Sequence, residues 1–225
     1  ANIEVTGRRL AWGKWLNAGQ TCVAPDYVLA TEKTRDALVD SMRTAFDEFA
    51  GGKGSKDNPD FTSIVHERHT ARLQGLLADH AGTVAVGGNS DVDAKHVYPT
   101  IVVHPAPDSP LMRQEIFGPI LPIITVESMS EAVEFVNDRE KPPALYVFAE
   151  DSNVADDVLA RTTSGGACVN HVIQHLVPST LPFGGVGESG TGRYHGRSGF
   201  DTFSNLRSVL EKPTKMDMKM LYPPY

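Results

Sequence analysis

The sequence predicts an α/β protein with a mainly parallel sheet covered by helices. Short continuous apolar runs alternate with longer segments in which apolar residues recur at helical spacing. Continuous apolar runs are typical of strands buried on both faces, and parallel neighbours need long crossover connections, which are usually helices. A chain of 225 residues is also long enough to enclose a substantial core. These observations together favour helices layered on a parallel sheet.

The first part of the chain predicts two helices separated by a short strand. A helix is expected over Ile3–Asn17, with Gly19 just past its end. The next segment, Tyr27–Ala30, is short and apolar like a buried strand, and Thr31 suits the cap of a second helix. The first apolar stripe consists of Leu10, Trp15 and Leu16. The inward face of the second helix consists of Leu38, Met42, Ala45, Phe46 and Phe49.

The alternation continues through the middle of the chain. A loop rich in glycine, proline and aspartate begins at Gly51 and is followed by a helix that carries Leu73, Leu76 and Leu77. Further strands are predicted for the runs TVAV from Thr83, PTIVVHP from Pro99, ILPIITV from Ile120 and ALYVF from Ala144. Helices are predicted for MSEAVEFVND from Met129 and NVADDVLART from Asn153.

The last part of the chain differs in composition. From Phe183 onward the sequence is too rich in glycine for a helix, until a final strand candidate at Ser204 to Leu210. The tail that follows ends in prolines, and we expect it to lie along the surface.

Composition excludes several classes of protein. The net charge of −7 argues against a partner nucleic acid. No run approaches the roughly 18 consecutive apolar residues of a membrane span, and the first residues lack the apolar core of a signal peptide. Cys22 and Cys168 are far apart in a chain that gives little reason for a disulfide. We therefore expect a cytoplasmic protein with two free thiols and no membrane span.

One glycine motif fails the test of its context. Gly185, Gly187 and Gly190 match the G-x-G-x-x-G dinucleotide fingerprint. The true motif follows a strand and opens a helix, whose N-terminus holds the pyrophosphate. Here Pro182 precedes the glycines and no helical pattern follows, so a packing loop is the favoured interpretation.

Histidine pairs do not predict a metal site. His66 with His69, and His171 with His175, lack both a nearby cysteine set and the HExxH arrangement. His66 and His69 are better explained as the polar start of a helix. We predict no metal.

Cys22 is the residue that most invites a chemical role. A structural cysteine is usually surrounded by large apolar residues, whereas this one lies in NAGQTCVA among small and polar neighbours. Composition alone leaves a nucleophile and a small core filler equally open, because reactivity depends on thiolate formation and exposure. Cys168, in SGGACVNH, is better explained as a filler.

Three segments resemble the signature segments of the catalytic domain of aldehyde dehydrogenases. They are NAGQTC with Cys22, QEIFGPILPI with Glu115 and Phe117, and LPFGGVGESGTGRYHG with Phe183. Their order and separations also fit that family. Details such as TCVAPDYVL and the closing YPP resemble the class 3 members, which act on fatty or aromatic aldehydes.

The resemblance implies a role for each of these residues. Cys22 would attack the aldehyde to give a thiohemiacetal and then a thioester, and its backbone N–H would support the oxyanion. Glu115 would bind the nicotinamide ribose of NAD or NADP, Phe117 would contact the nicotinamide ring, and Phe183 would line the aldehyde funnel. From the residues alone, Glu115 is a surface charge, and Phe183 remains equally explicable as a core residue.

The resemblance also implies that much of such an enzyme lies elsewhere. The family's general-base glutamate, its oxyanion asparagine and nearly all of its dinucleotide-binding domain precede the segment that matches Ala1. We therefore expect a fragment, with a catalytic domain over 1–203 and a strand and tail over 204–225 that belong to an oligomerisation region. A homo-oligomer, most simply a dimer, is expected.

Two other functions stay open at this point. The first is a cysteine-dependent ester hydrolase or acyl transferase in which a histidine assists Cys22. The second is a noncatalytic assembly module in which the cysteine has no chemical role.

Overall fold

Helices and strands alternate along most of the chain, as the apolar pattern predicts. The computed structural model describes residues 1–52, 54–215 and 217–224. The helices are α1 (Ile3–Trp15), α2 (Glu32–Ala50), α3 (Glu67–Ala78), α4 (Pro110–Arg113), α5 (Met129–Asn137), α6 (Ser152–Arg161) and α7 (Gly196–Thr202). The strands are β1 (Val28–Thr31), β2 (Thr83–Val86), β3 (Ser90–Asp91), β4 (His96–Val97), β5 (Thr100–Val103), β6 (Ile120–Val126), β7 (Ala144–Val147) and β8 (Gly166–Val169).

The main sheet has the strand order β1, β6, β5 and β2. β1 and β5 both run parallel to β6, with Val28 opposite Ile123 and Ile101 opposite Leu121. β2 pairs antiparallel with β5 at the edge. β7 and β8 form a separate parallel pair, and β3 and β4 a short antiparallel one. The predicted α/β fold with a mainly parallel sheet is therefore confirmed.

Strand β6 lies at the centre of the core. Ile120, Leu121 and Ile123 are fully buried, because β6 has a strand on each side while α2 and α5 pack against it. The inward face of α2 is as predicted: Leu38, Met42, Ala45 and Phe46 are buried, and Phe49 packs at the margin. The continuous apolar run of β6 thus corresponds to burial on both faces.

Helix α1 carries the chain toward Cys22. Asn2 caps it, with its side-chain oxygen accepting from the Val5 N–H at 3.1 Å. A Cβ at Gly7 would lie 2.3 Å from Ser41 Oγ, so α1 crosses α2 at very close range. The predicted stripe is only partly correct, because Leu10 and Trp15 are buried but Leu16 is 40% exposed. Leu16 faces out because the α-helix has already ended at Trp15.

The predicted strand at Ser204 to Leu210 is wrong. No residue of this segment pairs with a strand among the described residues, and Leu206 and Leu210 are 90% and 84% exposed. An extended segment becomes a strand only when an edge is available for its backbone hydrogen bonds. The predicted surface position of the tail agrees with the exposure of residues 211–215 and 217–224.

The glycine-rich segment after Phe183 also contains a helix that its composition argued against. α7 forms over Gly196–Thr202 despite two glycines. Arg197 pairs with Asp201 at 2.7 Å, one helical turn apart, and the Thr202 hydroxyl donates to the Ser198 carbonyl at 2.8 Å. The Arg197–Asp201 pair helps a short helix form where propensity alone is unfavourable.

In the stretches 1–52, 54–215 and 217–224, no helix is both long enough and apolar enough to cross a membrane.

Candidate active site

The loop that carries Cys22 is shaped by a run of left-handed residues. After α1, the backbone of Asn17, Ala18 and Gly19 adopts φ values of 53°, 51° and 68°. Three successive left-handed residues turn the chain sharply away from the helix axis. The N–H of Ala24 then donates to the Thr21 carbonyl at 2.9 Å and closes a turn around Cys22. Cys22 is exposed, in the loop after a helix where the sequence placed it.

Two side chains fix this loop to the rest of the molecule. The Gln20 side-chain oxygen accepts from the Val65 N–H at 2.9 Å, and its amide donates to the Ser63 carbonyl at 3.2 Å. The Tyr146 hydroxyl on β7 donates to the Val23 carbonyl at 2.6 Å, next to the cysteine. Sequence reasoning missed Tyr146, because an aromatic residue in a strand is usually a core residue.

Glu115 and Phe117 lie on one loop before β6. Phe117 is half-buried and has φ of 49°, an uncommon conformation for a bulky residue. The His69 ring nitrogen Nε2 donates to the Phe117 carbonyl at 2.8 Å, and the two rings lie 6.3 Å apart. Glu115 is exposed, yet partial desolvation and then the negative charge of Asp26 raise the pKa of its carboxyl.

The Cys22 loop and the Glu115–Phe117 loop touch through two glycines. A Cβ added to Gly19 would lie 2.3 Å from the Gly118 carbonyl oxygen, and one added to Gly118 would lie 2.6 Å from Leu73. Only glycine permits this approach at Gly19, where φ is also positive. The structure therefore brings the loop of Cys22 against the loop of Glu115 and Phe117, and the roles of these three residues stay predictions.

Phe183 is connected to the cysteine loop through other rings. Its ring lies 5.9 Å from that of His175, which in turn lies 5.9 Å from the ring of Tyr146. Phe183 also forms an isolated antiparallel bridge with Tyr194 and is half-buried. Tyr146 and His175 thus link Phe183 to the loop of Cys22, and a role of Phe183 toward substrate stays a prediction.

An open cavity of about 420 Å³ lies beside Phe117 and is lined largely by cationic and imidazole side chains. Its lining comprises Val65, His66, Arg68, His69, Arg72 and Phe117. Such a lining suits an anionic ligand, and an aromatic ring at its edge suits a flat one. The charge and the aromatic edge of this lining suit one anionic part of a nicotinamide dinucleotide, while Glu115 lies outside the lining.

The histidines and the second cysteine have structural explanations. His66 caps α3, since its Nδ1 accepts from the His69 N–H at 3.0 Å, which confirms the predicted polar helix start. Within the described ranges no three metal-binding side chains cluster. Cys168 is half-buried on β8, a strand that the sequence did not predict, and burial raises the pKa of its thiol.

The G-x-G-x-x-G segment forms a turn instead of the strand-to-helix connection that the dinucleotide fingerprint requires. Gly187–Ser189 forms a single 3-10 turn, with Val186 extended before it. A Cβ on Gly185 would lie 2.0 Å from the Ser189 carbonyl oxygen, so the glycine permits close packing of the loop on itself. The contextual argument against the dinucleotide fingerprint is confirmed.

Comparisons with known proteins identify the family of the chain. The model of the aldehyde dehydrogenase family matches residues 1–209. The chain is 47% identical over 224 residues to aldehyde dehydrogenase family 3 member B1 of Mus musculus, covering 99% of this chain and 47% of that protein. It is 43% identical to a dimeric NADP-preferring aldehyde dehydrogenase of Bos taurus, covering 99% of this chain and 92% of that sequence.

Solved structures show the same similarity. The substrate-bound state of Staphylococcus aureus AldH superposes with a TM-score of 0.91 at 43% identity, covering 100% of this chain and 49% of that one. An NAD-dependent aldehyde dehydrogenase from Sinorhizobium meliloti gives a TM-score of 0.83 at 26% identity, covering 96% and 44%. The chain spans about half the length of most of these relatives. It belongs to the aldehyde dehydrogenase family.

Proposed function

We propose that this chain supplies the nucleophile for the NAD(P)+-dependent oxidation of an aldehyde to a carboxylic acid, with Cys22 as the attacking residue. The observation that carries the proposal is the exposed Cys22 in a loop packed against the loop of Glu115 and Phe117. Family membership supports the reaction class. The activity is that of a protein of the relatives' length, in which this chain is the cysteine-bearing half.

Cys22 performs both the attack and the release. Its thiolate forms a C–S bond to the aldehyde carbon while the carbonyl π pair moves to oxygen, giving a thiohemiacetal. The Cys22 backbone N–H donates to that oxyanion, and such a preorganised donor contributes roughly 3–4 kcal/mol. At the thioester stage, water attacks the acyl carbon and the C–S bond breaks, because a thiolate is also a good leaving group.

Glu115 and Phe117 are proposed to hold NAD or NADP. The Glu115 carboxylate accepts from ribose hydroxyls, and the Phe117 ring packs on the nicotinamide. When bound, the dinucleotide supplies the hydride acceptor for the oxidation. A related protein of Rattus norvegicus, 44% identical, is named as dimeric and NADP-preferring.

The substrate is proposed to be a medium-chain, long-chain or aromatic aldehyde. Phe183 lies in a cluster of rings with His175 and Tyr194, and Tyr146 links this cluster to the cysteine loop. Apolar side chains of a substrate gain affinity on such surfaces in proportion to the area they bury.

The division of the chain is proposed as a catalytic domain over 1–203 and an oligomerisation region over 204–225. Most relatives are twice as long as this chain. An apolar cavity of about 390 Å³ lies between β1 and β7, and its lining includes Ala1 and Ile3. The dinucleotide-binding domain is proposed to lie outside this chain.

A homo-oligomer, most simply a dimer, and a cytoplasmic location complete the proposal. Several large apolar side chains of the C-terminal segment face solvent, namely Phe200, Phe203, Leu206, Val209 and Leu210. Exposed apolar residues in such number favour burial against a second copy. Two free thiols suit a reducing compartment.

Trapping of the acyl intermediate tests the proposed function. The purified chain, treated with p-nitrophenyl acetate, should gain one acetyl group, and peptide mapping should place it on Cys22 because Cys168 is half-buried. Acylation of Cys168 alone, or of neither cysteine, would contradict the role of Cys22. The 225-residue chain alone should not form NADH at the rate of an intact enzyme, since the base and most of the cofactor surface are proposed to lie outside it.

The hydrolase alternative makes a different prediction for His175. This imidazole is buried, and neither ring nitrogen has a hydrogen-bond partner among the residues that the structure describes. It packs against Tyr146, which donates to the cysteine loop. Burial lowers the pKa of His175, which disfavours the protonated ring that a general base must form. Under our proposal, His175→Gln leaves the deacylation rate of Cys22 within about twofold of wild type. A large, histidine-dependent loss of deacylation would favour the hydrolase.

A further inference from the structure

Four consecutive carbonyl groups in the loop before β6 each accept a hydrogen bond from a side chain. Arg72 donates to the Glu115 carbonyl at 3.2 Å and also to that of Ile116, His69 donates to the Phe117 carbonyl at 2.8 Å, and Lys14 donates to the Gly118 carbonyl at 3.0 Å. Backbone groups of a loop outside a sheet usually bind water or other backbone groups. Here side chains from α1 and α3 orient every carbonyl of the segment 115–118.

A carboxylate also binds this loop, as an acceptor from one of its backbone N–H groups. The Asp26 Oδ1 atom accepts from the Ile116 N–H at 3.0 Å. Lys14 lies eight residues before Cys22 and Asp26 four residues after it. The two stems of the cysteine loop therefore each hold one end of the Glu115–Gly118 segment.

The lysine in this arrangement is an unfavourable choice for packing alone. Lys14 is 1% exposed, and an ammonium removed from water loses hydration that one carbonyl does not replace. Burial accordingly lowers the pKa of Lys14 to about 8, although the charges of Asp26 and Glu115 oppose the change. A leucine or methionine would fill the same space without that cost.

We propose that Lys14 and Asp26 are positioning residues that fix the Glu115–Gly118 loop to the two stems of the cysteine loop. The purpose of this attachment rests on the proposed function: it holds Glu115 and Phe117 at a set distance from Cys22. The attachment itself consists of the hydrogen bonds of Lys14 and Asp26 to this loop, and it can be measured without any enzymatic reaction.

The attachment should respond to pH in a defined direction. When the loop opens, Lys14 becomes hydrated and its pKa returns toward 10.5, so the open form binds more protons than the closed form between pH 8 and 10.5. Opening is therefore favoured by protonation of Lys14 and suppressed as the pH rises through 8. The neutral amine still donates to the Gly118 carbonyl. The other charged or imidazole groups around this loop are Asp26, Glu115, Arg72 and His69.

Amide hydrogen exchange, resolved by NMR and corrected for the intrinsic rate at each pH, tests the inference. In the wild-type chain, the protection of the Ile116 amide, which donates to Asp26, should rise roughly tenfold from pH 7.5 to 9.5. Lys14→Met should abolish this rise, while Lys33→Met, which alters an exposed lysine on α2, should retain it. A flat wild-type profile, or a rise that persists in Lys14→Met, would overturn the inference.

A pair of aspartate variants tests the second attachment. Asp26→Ala removes the acceptor of the Ile116 N–H and should lower the protection of that amide roughly tenfold. Asp26→Asn keeps a side-chain oxygen there and should restore most of the protection. Equal protection in both variants would overturn the role of Asp26. Acylation of Cys22 is followed in the same samples, so a failure of the proposed nucleophile is distinguished from a failure of the loop attachment.

Discussion

Replacement of Cys22 by alanine is expected to abolish covalent capture of an acyl group. Cys22 is exposed, whereas the other cysteine of the chain is half-buried. An acyl-enzyme cannot form without the nucleophile, so the burst of p-nitrophenol from an activated ester should fall at least about a thousandfold in Cys22→Ala. In a protein of the relatives' length, NAD(P)H formation from an aldehyde should fall by a similar factor.

The matched control is the same substitution at the other cysteine. Cys168→Ala removes a thiol whose pKa is raised by burial, so it should leave the burst amplitude nearly unchanged. Both variants are compared after their circular dichroism and melting temperatures have been shown to match wild type. A normal burst in Cys22→Ala would exclude Cys22 as the nucleophile. A wild-type Cys22 that iodoacetamide leaves unmodified at neutral pH would favour the noncatalytic assembly module.

The sequence predicts most of the sheet because burial on both faces leaves a clear pattern. The apolar run of β6 shows where the core lies, and the helical spacing in α2 shows which face packs on it. The segment from Ser204 to Leu210 mixes apolar and polar residues in a way that suits a strand, yet among the described residues it pairs with no strand and stays exposed. A strand depends on a neighbour that is distant in sequence, and local composition does not contain that information.

The candidate site was only partly predictable for a related reason. Cys22 stands out because small residues surround it, and Glu115, Phe117 and Phe183 were assigned by resemblance. Four further residues contact partners that are distant in the sequence, namely Lys14, His69, Arg72 and Tyr146. Their local sequence does not show these partners, so it indicates only surface charges or core aromatic residues. Lys14 did leave one signal, since it follows the buried Leu10 and Ala11 at helical spacing and therefore falls on an apolar face.

Substitution of Gly19 by alanine is expected to be the most damaging small change in the cysteine loop. Its φ of 68° costs an alanine about 1–2 kcal/mol. The added Cβ would also lie 2.3 Å from the Gly118 carbonyl oxygen and 2.7 Å from its carbonyl carbon, which are backbone atoms without a rotamer to escape into. Overpacking of this kind adds about 1–3 kcal/mol. The total loss of unfolding free energy is therefore roughly 2–5 kcal/mol, measured by urea denaturation.

Gly51→Ala is the control that separates backbone strain from the steric clash. Gly51 has a similar φ of 58° at the end of α2, but a Cβ there meets no atom of the described residues within 4 Å. It should therefore lose only the strain of about 1–2 kcal/mol and leave acylation of Cys22 unaltered. In Gly19→Ala, the two loops must separate to relieve the clash, so acylation should slow and the Ile116 amide should exchange faster. Equal stability losses in the two variants would mean that the loops do not touch at Gly19 and Gly118, and the close approach on which the candidate site depends would be wrong.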